Sequence, residues 1–220
     1  MRKMVFGTYD TVLHGPWTLA SWELSPALHR TQFVEVPGRD GELDLSTVLT
    51  DGSPRYGNRV LEAVLERSDL SRQAREAAIS DMINQLDGLH MQIRIPDDEL
   101  HYLQGRVSVA RNYNDLAHAA VTVTATVDPW RYSINETVYR LTAESGARTV
   151  RLTNVGRRAV VPTIEVIGDT ASVLLTYEGH SWALGPGKHQ LPDLVIPNGG
   201  LEIGFSGSGV VSFTYREAIL

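Results

Sequence analysis

The chain has 220 residues, 42% of them hydrophobic and 21% charged, with 26 acidic against 20 basic side chains for a formal net charge of −6. This length fits one large domain or two small ones with a real core, and the acid excess excludes a protein held on nucleic acid by phosphate contacts. Cysteine is absent, which excludes disulfides and thiolate metal sites and permits a reducing compartment.

The stretch Met1 to Asp10 carries positive charge with no apolar run behind it, so no signal peptide is expected. No window approaches the roughly 18 apolar residues of a membrane span. A soluble chain without membrane insertion, folded in the cytoplasm, is the expectation.

In chain order, Thr31 to Val36 is β-rich and stops at Pro37-Gly38, with a further turn at Asp40-Gly41. Arg59 to Glu66 reads two ways. As a helix, Val60, Leu61, Val64 and Leu65 line one side; as a strand, Leu61, Ala63 and Leu65 turn inward against Val60 and Val64. Periodicity alone slightly favours the helix. Ala74, Ala78, Ile79, Met82, Ile83 and Leu86 then share one stripe, predicting a helix over about 71–87. Ser71 is its N-cap, and Gly88 stands where a left-handed residue closes a helix.

Met91, Ile93 and Ile95 alternate with Gln92 and Arg94, predicting a strand that ends at Pro96-Asp97-Asp98. Gly105 to Val109 and Val121 to Val127 follow as strands. In the second, Val121, Val123, Ala125 and Val127 share one face and Thr122, Thr124 and Thr126 the other, as in an antiparallel sheet with one wet side. After about residue 135 the helical period disappears. Val150 to Asn154, Pro162 to Ile167 and Val173 to Tyr177 read as strands, and Leu201 to Phe205 and Val211 to Tyr215 as a hairpin around Gly207-Ser208-Gly209. The fold class is mainly β with one helix, in two domains: a sheet-plus-helix domain over 1–135 and a β-sandwich over 136–220.

Chemistry is sparse. The histidines at 14, 29, 90, 101, 118, 180 and 189 include no i,i+4 pair on the predicted helix. His90 and His101 flank a hairpin and with Asp97 or Asp98 offer the nearest approach to a zinc set, although no spacing demands one. Nucleophile elbows, phosphate loops and dinucleotide fingerprints are missing. No catalytic, metal or cofactor residue is therefore assigned.

Short ordered segments say more. Val36-Pro37-Gly38-Arg39-Asp40-Gly41-Glu42-Leu43-Asp44-Leu45 precedes Tyr56-Gly57-Asn58-Arg59. After the helix with Leu86-Asp87-Gly88 come Tyr102-Leu103-Gln104-Gly105-Arg106-Val107 and Val127-Asp128-Pro129-Trp130-Arg131-Tyr132. Each is weak alone; their order over roughly 30–132 resembles the N-terminal domain of siphophage distal tail proteins, the Dit-type family. The resemblance implies a tail-tube-like N-terminal domain and a galectin-like C-terminal sandwich. It also implies a non-enzymatic virion protein at the tail tip, assembled in the host cytoplasm as a homo-hexameric ring. Its partners would be the tail-tube protein and a tail-associated tip or fibre protein, without sequence-specific nucleic-acid binding. In the family, Arg59 to Glu66 would be a strand.

Interface or motif candidates are Pro37, Gly38, Arg39, Asp40, Gly41, Tyr56, Asn58, Arg59, Gly105, Arg106, Asp128, Pro129 and Trp130, with Trp17 and Trp22 as further aromatic contact points. A negative channel wall, past which DNA slides without sticking, is expected from the net charge. Two other classes stay open. One is a carbohydrate-binding module using Trp182 and Tyr177; the other is a hydrolase with carboxylates among Asp97, Asp98, Glu165 and Asp169.

Overall fold

Alternating apolar and polar residues become strands along most of the chain, because β-branched side chains suit a half-buried pleated surface. A computed structural model describes residues 3–48, 50, 52–68, 71–112, 119–143 and 146–220, without the side chains of Arg72, Asp169 and Thr170. Two compact units emerge, Met1–Arg131 and Tyr132–Leu220.

The first unit contains β1 (Val5–Phe6), β2 (Tyr9–Asp10), β3 (Thr18–Leu24), β4 (Phe33–Glu35), β5 (Glu42–Asp44), β6 (Arg59–Arg67), α1 (Arg72–Leu86), β7 (His90–Arg94), β8 (His101–Arg111) and β9 (Ala119–Val127). Seven of these strands pair antiparallel in the order β2-β1-β7-β8-β9-β6-β3. The helix covers one face over β8 and β9. Ile79, Met82 and Leu86 are its buried side chains, in one core with Leu61, Leu65, Leu103, Val107 and Val123. Each such burial contributes about 1.5–3 kcal/mol. Ser71 caps the helix by accepting from the Ala74 amide, and Gly88 follows with φ +75°.

Residues 59–67 form a strand, as the resemblance implied and helical periodicity did not. Leu61, Ala63 and Leu65 face the core opposite Ala125, Val123 and Val121. Ladders on both sides, to β3 and β9, satisfy its backbone, so Val60 stays on the solvent face, 46% exposed.

β10 (Arg131–Ser133) spans the division, and the second unit holds β11 (Thr137–Ala143), β12 (Arg148–Leu152), β13 (Thr163–Tyr177), β14 (His180–Leu184), β15 (Gly187–Gln190), β16 (Leu201–Tyr215) and β17 (Ala218–Ile219). β13 and β16 pair from Thr163↔Thr214 to Thr176↔Gly204, with a register shift between Ile167 and Ser172. One half of this ribbon is flanked by β11 and β15, the other by β12 and β14. Ile164, Val166 and Phe213 from the first half share one core with Leu175, Ile203 and Phe205 from the second. One sheet is thus folded over a single core.

This corrects two sequence expectations. Pro162 to Ile167 and Val173 to Tyr177 belong to one bent strand, and Gly207-Ser208-Gly209 is a kink within β16, not the turn of a hairpin. Gly207 (φ +125°) lies so close to β13 that a Cβ would overlap the Ser172 carbonyl oxygen, and Gly209 (φ +111°) crowds Ala171. The glycines permit bending and close approach while the ladder runs on.

Candidate functional site

β4 and β5 make a two-stranded sheet of their own, with Phe33↔Asp44, Val34↔Leu43 and Glu35↔Glu42 in register. Every residue from Leu28 to Glu42 is exposed. The period of two puts Val34, Val36 and half-buried Leu43 on one side of this arm, and Phe33, Glu35, Glu42 and Asp44 on the other. Phe33 is 53% exposed, Val34 38% and Val36 39%. Pro37, Gly38, Arg39, Asp40 and Gly41 form its tip. The Arg39 amide donates to the Val36 carbonyl at 3.1 Å, while Gly38 (φ +82°) and Gly41 (φ +76°) take the left-handed conformation that favours glycine.

Tyr56 and Trp130 meet at the root of the arm. Tyr56 is bridged to His29, their rings 4.7 Å apart, and meets Trp130 edge-on at 5.4 Å. The Gly57 amide donates to the Leu28 carbonyl and the Arg30 amide to the Arg55 carbonyl, both at 2.9 Å. Arg59 Nε donates to the Ser25 carbonyl at 2.6 Å, and the Val60 amide to Ser25 Oγ at 2.8 Å. Burial, and then the neighbouring Arg131 charge, lowers the Arg59 pKa. His29 and Ser25 escaped sequence analysis because each works through a partner some 27 to 35 positions away.

Asp98 holds Arg131 at 3.1 Å and His101 at 2.9 Å. Burial alone would raise its carboxyl pKa; the bonds from His101 and the Leu100 amide, with the Arg131 charge, outweigh it and hold the group below its ordinary value. Asp98→Asn is therefore expected to destabilise the first unit at neutral pH. The difference from the native chain should be constant above about pH 4 and fade as pH falls through the lowered native pKa. Denaturant unfolding at several pH values checks this; a penalty unchanged between neutral and acid solution would contradict it.

Asn58, Gly105, Arg106 and Asp128 line a polar depression with Asp87 and His90. Arg106 Nη1 donates to the Gly88 carbonyl, the Asp128 amide to the Gln104 carbonyl at 2.9 Å, and the Val109 amide to Asp87 Oδ1 at 2.8 Å. These bonds tie β8 to its neighbours, and half-buried Pro129 leads on to Trp130. The sheet face away from α1 carries Glu23, Glu62 and Glu66 towards β3, threonines on β9, and His90, Arg94 and Arg106 on β7 and β8. Among the described residues of this face, the acidic side chains do not form one uniformly acidic wall.

Other candidates are not brought together. Trp17 is buried in the core and Trp22 packs against it, so the first is no surface contact. His90 lies opposite Arg106, five positions along β8 from His101, so about 17 Å of strand separates the two histidines. Among the described residues, no group of three histidines or carboxylates could hold a metal; His118 lies outside them. Asp97 sits in a turn with φ +65°, and Glu165 stands opposite Lys188 and Ser212 in β13 of the other unit. The Asp169 side chain is outside the described residues. Trp182 stacks on His180 at 5.8 Å and, with Tyr177, packs against the core of the second unit.

No family model matches the sequence, and no curated protein does. Among solved structures, the chain is similar to the Dit protein of phage SPP1, described as a paradigm of the hub adsorption apparatus in phages that infect Gram-positive bacteria. The match has a TM-score of 0.72 at 13% sequence identity and covers 100% of both chains. From end to end, the chain has the fold of that Dit protein.

Proposed function

We propose that this chain is a structural, non-enzymatic distal tail protein of a phage virion. Its copies close a ring of about six subunits between the tail tube and a tip or fibre protein. The N-terminal unit forms the ring, and the C-terminal unit is a galectin-like sandwich. The observation that carries this reading is the fold match, which covers the whole of both chains. The arm supports it physically. A two-stranded element with Phe33, Val34 and Val36 in solvent is marginal alone and gains from a protein surface that covers it. The alternative, a carbohydrate-binding module, is less favoured because Trp182 and Tyr177 are partly committed to the core.

Val34→Ser with Val36→Ser tests the role of the arm. Two exposed valines contribute little within the monomer but roughly 10- to 100-fold to self-association if a neighbour buries them. Light scattering across a concentration series should show that loss with an unchanged unfolding midpoint. An unchanged association profile would count against the arm as the ring contact.

A further inference from the structure

Two pairs of like charges oppose each other on the same arm. Distally, Glu35 lies directly opposite Glu42. At the root, the His29↔Tyr56 bridge and the hydrogen bond from the Arg30 amide to the Arg55 carbonyl set Arg30 opposite Arg55. All four side chains are exposed, and none forms an ion pair among the described residues.

Directly opposed like charges destabilise a ladder. The two pairs do not relieve each other within one arm: no ion pair joins them among the described residues. They belong to separate ladders, with Glu35 five positions from Arg30, up to about 17 Å along an extended chain. Screening at physiological salt acts over about 8 Å. Exposed Phe33 and Val34 lie between them.

We propose that the acidic outer half of the arm docks on the arginine root of the arm in a second copy of this chain, head to tail. The proposal rests on the ring reading and names the contact that would close it. A cation or basic peptide would relieve only the distal pair, and a polyanion only the root. A second copy carries both complements, and a contact between two different patches repeats around a ring. The apolar side chains between the charges would then be covered by the same contact.

Charge exchange tests it. One variant carries Glu35→Arg and Glu42→Arg, the other Arg30→Glu and Arg55→Glu. Each retains a like-charge pair in its ladder, so the repulsion within the arm is preserved. Each alone should assemble on the order of 100-fold more weakly than the native chain. Their equimolar mixture should recover assembly, because basic and acidic arms can alternate, and so should the fourfold exchange in one chain. Circular dichroism matching the native spectrum establishes that the variants are folded. Native chain that assembles while both variants assemble equally well would overturn this contact and leave the ring standing. Failure of the mixture and of the fourfold exchange to recover assembly would do the same. A native chain that stays monomeric at every concentration would overturn both.

Discussion

Replacing Gly105 by valine is expected to destabilise the first unit by roughly 3 kcal/mol or more, lowering its melting temperature by about 6–12 °C. Gly105 is buried in β8 opposite Val127, between two central strands. A Cβ there would overlap the Thr126 carbonyl oxygen and stand 2.6 Å from Val127 Cα. Both obstacles are backbone, held in ladders on either side, so neither can swing aside. Thermal unfolding followed by circular dichroism measures the effect. Gly88→Ala is the comparison: its Cβ meets nothing within 4 Å, leaving only the strain of φ +75°, about 1 kcal/mol. A valine variant that melts like the native chain would contradict the packing described.

Asn154→Ala should be comparably costly in the second unit. The residue is 0% exposed. Its Nδ2 donates to the Arg158 carbonyl at 2.9 Å and the Ile196 carbonyl at 3.1 Å, and Oδ1 accepts from the Gly156 amide at 2.9 Å. Alanine removes the partner of the Arg158 carbonyl and of the Gly156 amide and leaves the Ile196 carbonyl with the Val160 amide alone, a loss of roughly 3 kcal/mol. Aspartate should fare no better, because it would turn a carboxylate oxygen towards two carbonyl oxygens. Denaturant midpoints at constant m-value check both substitutions; a midpoint within error of native for alanine would mean that these bonds contribute little.

What was legible in the sequence follows the range of each signal. The helix was readable because its stripe, its Ser71 cap and Gly88 are all local. The faces of β9 were readable because period two is local too. The strand at 59–67 was ambiguous: its identity depends on ladders to β3, 37 to 48 positions away in the chain, and to β9, 52 to 68 positions away. Gly207-Ser208-Gly209 misled for the opposite reason. Glycine marks any place where φ is positive or backbones approach, and only the pairing with β13 distinguishes a kink from a turn.

The site divides in the same way. Pro37 to Gly41 announced its turn through proline and glycine, and the structure places all five residues at the exposed tip of the arm. The contact of Tyr56 with Trp130 joins residues 74 positions apart in the chain, and nothing in either segment alone indicates it. The opposition of Glu35 to Glu42 and of Arg30 to Arg55 needs the register of the arm. Gly105, singled out for its motif, has an evident structural reason: the clearance between β8 and β9.

The mass of the purified native chain in solution, by light scattering over a concentration series, tests the central claim most directly. The account predicts a concentration-dependent rise to a closed assembly of about six copies, weakened by salt because charged arm contacts contribute. A chain that remains monomeric at the highest concentration, with the arm intact, would contradict it.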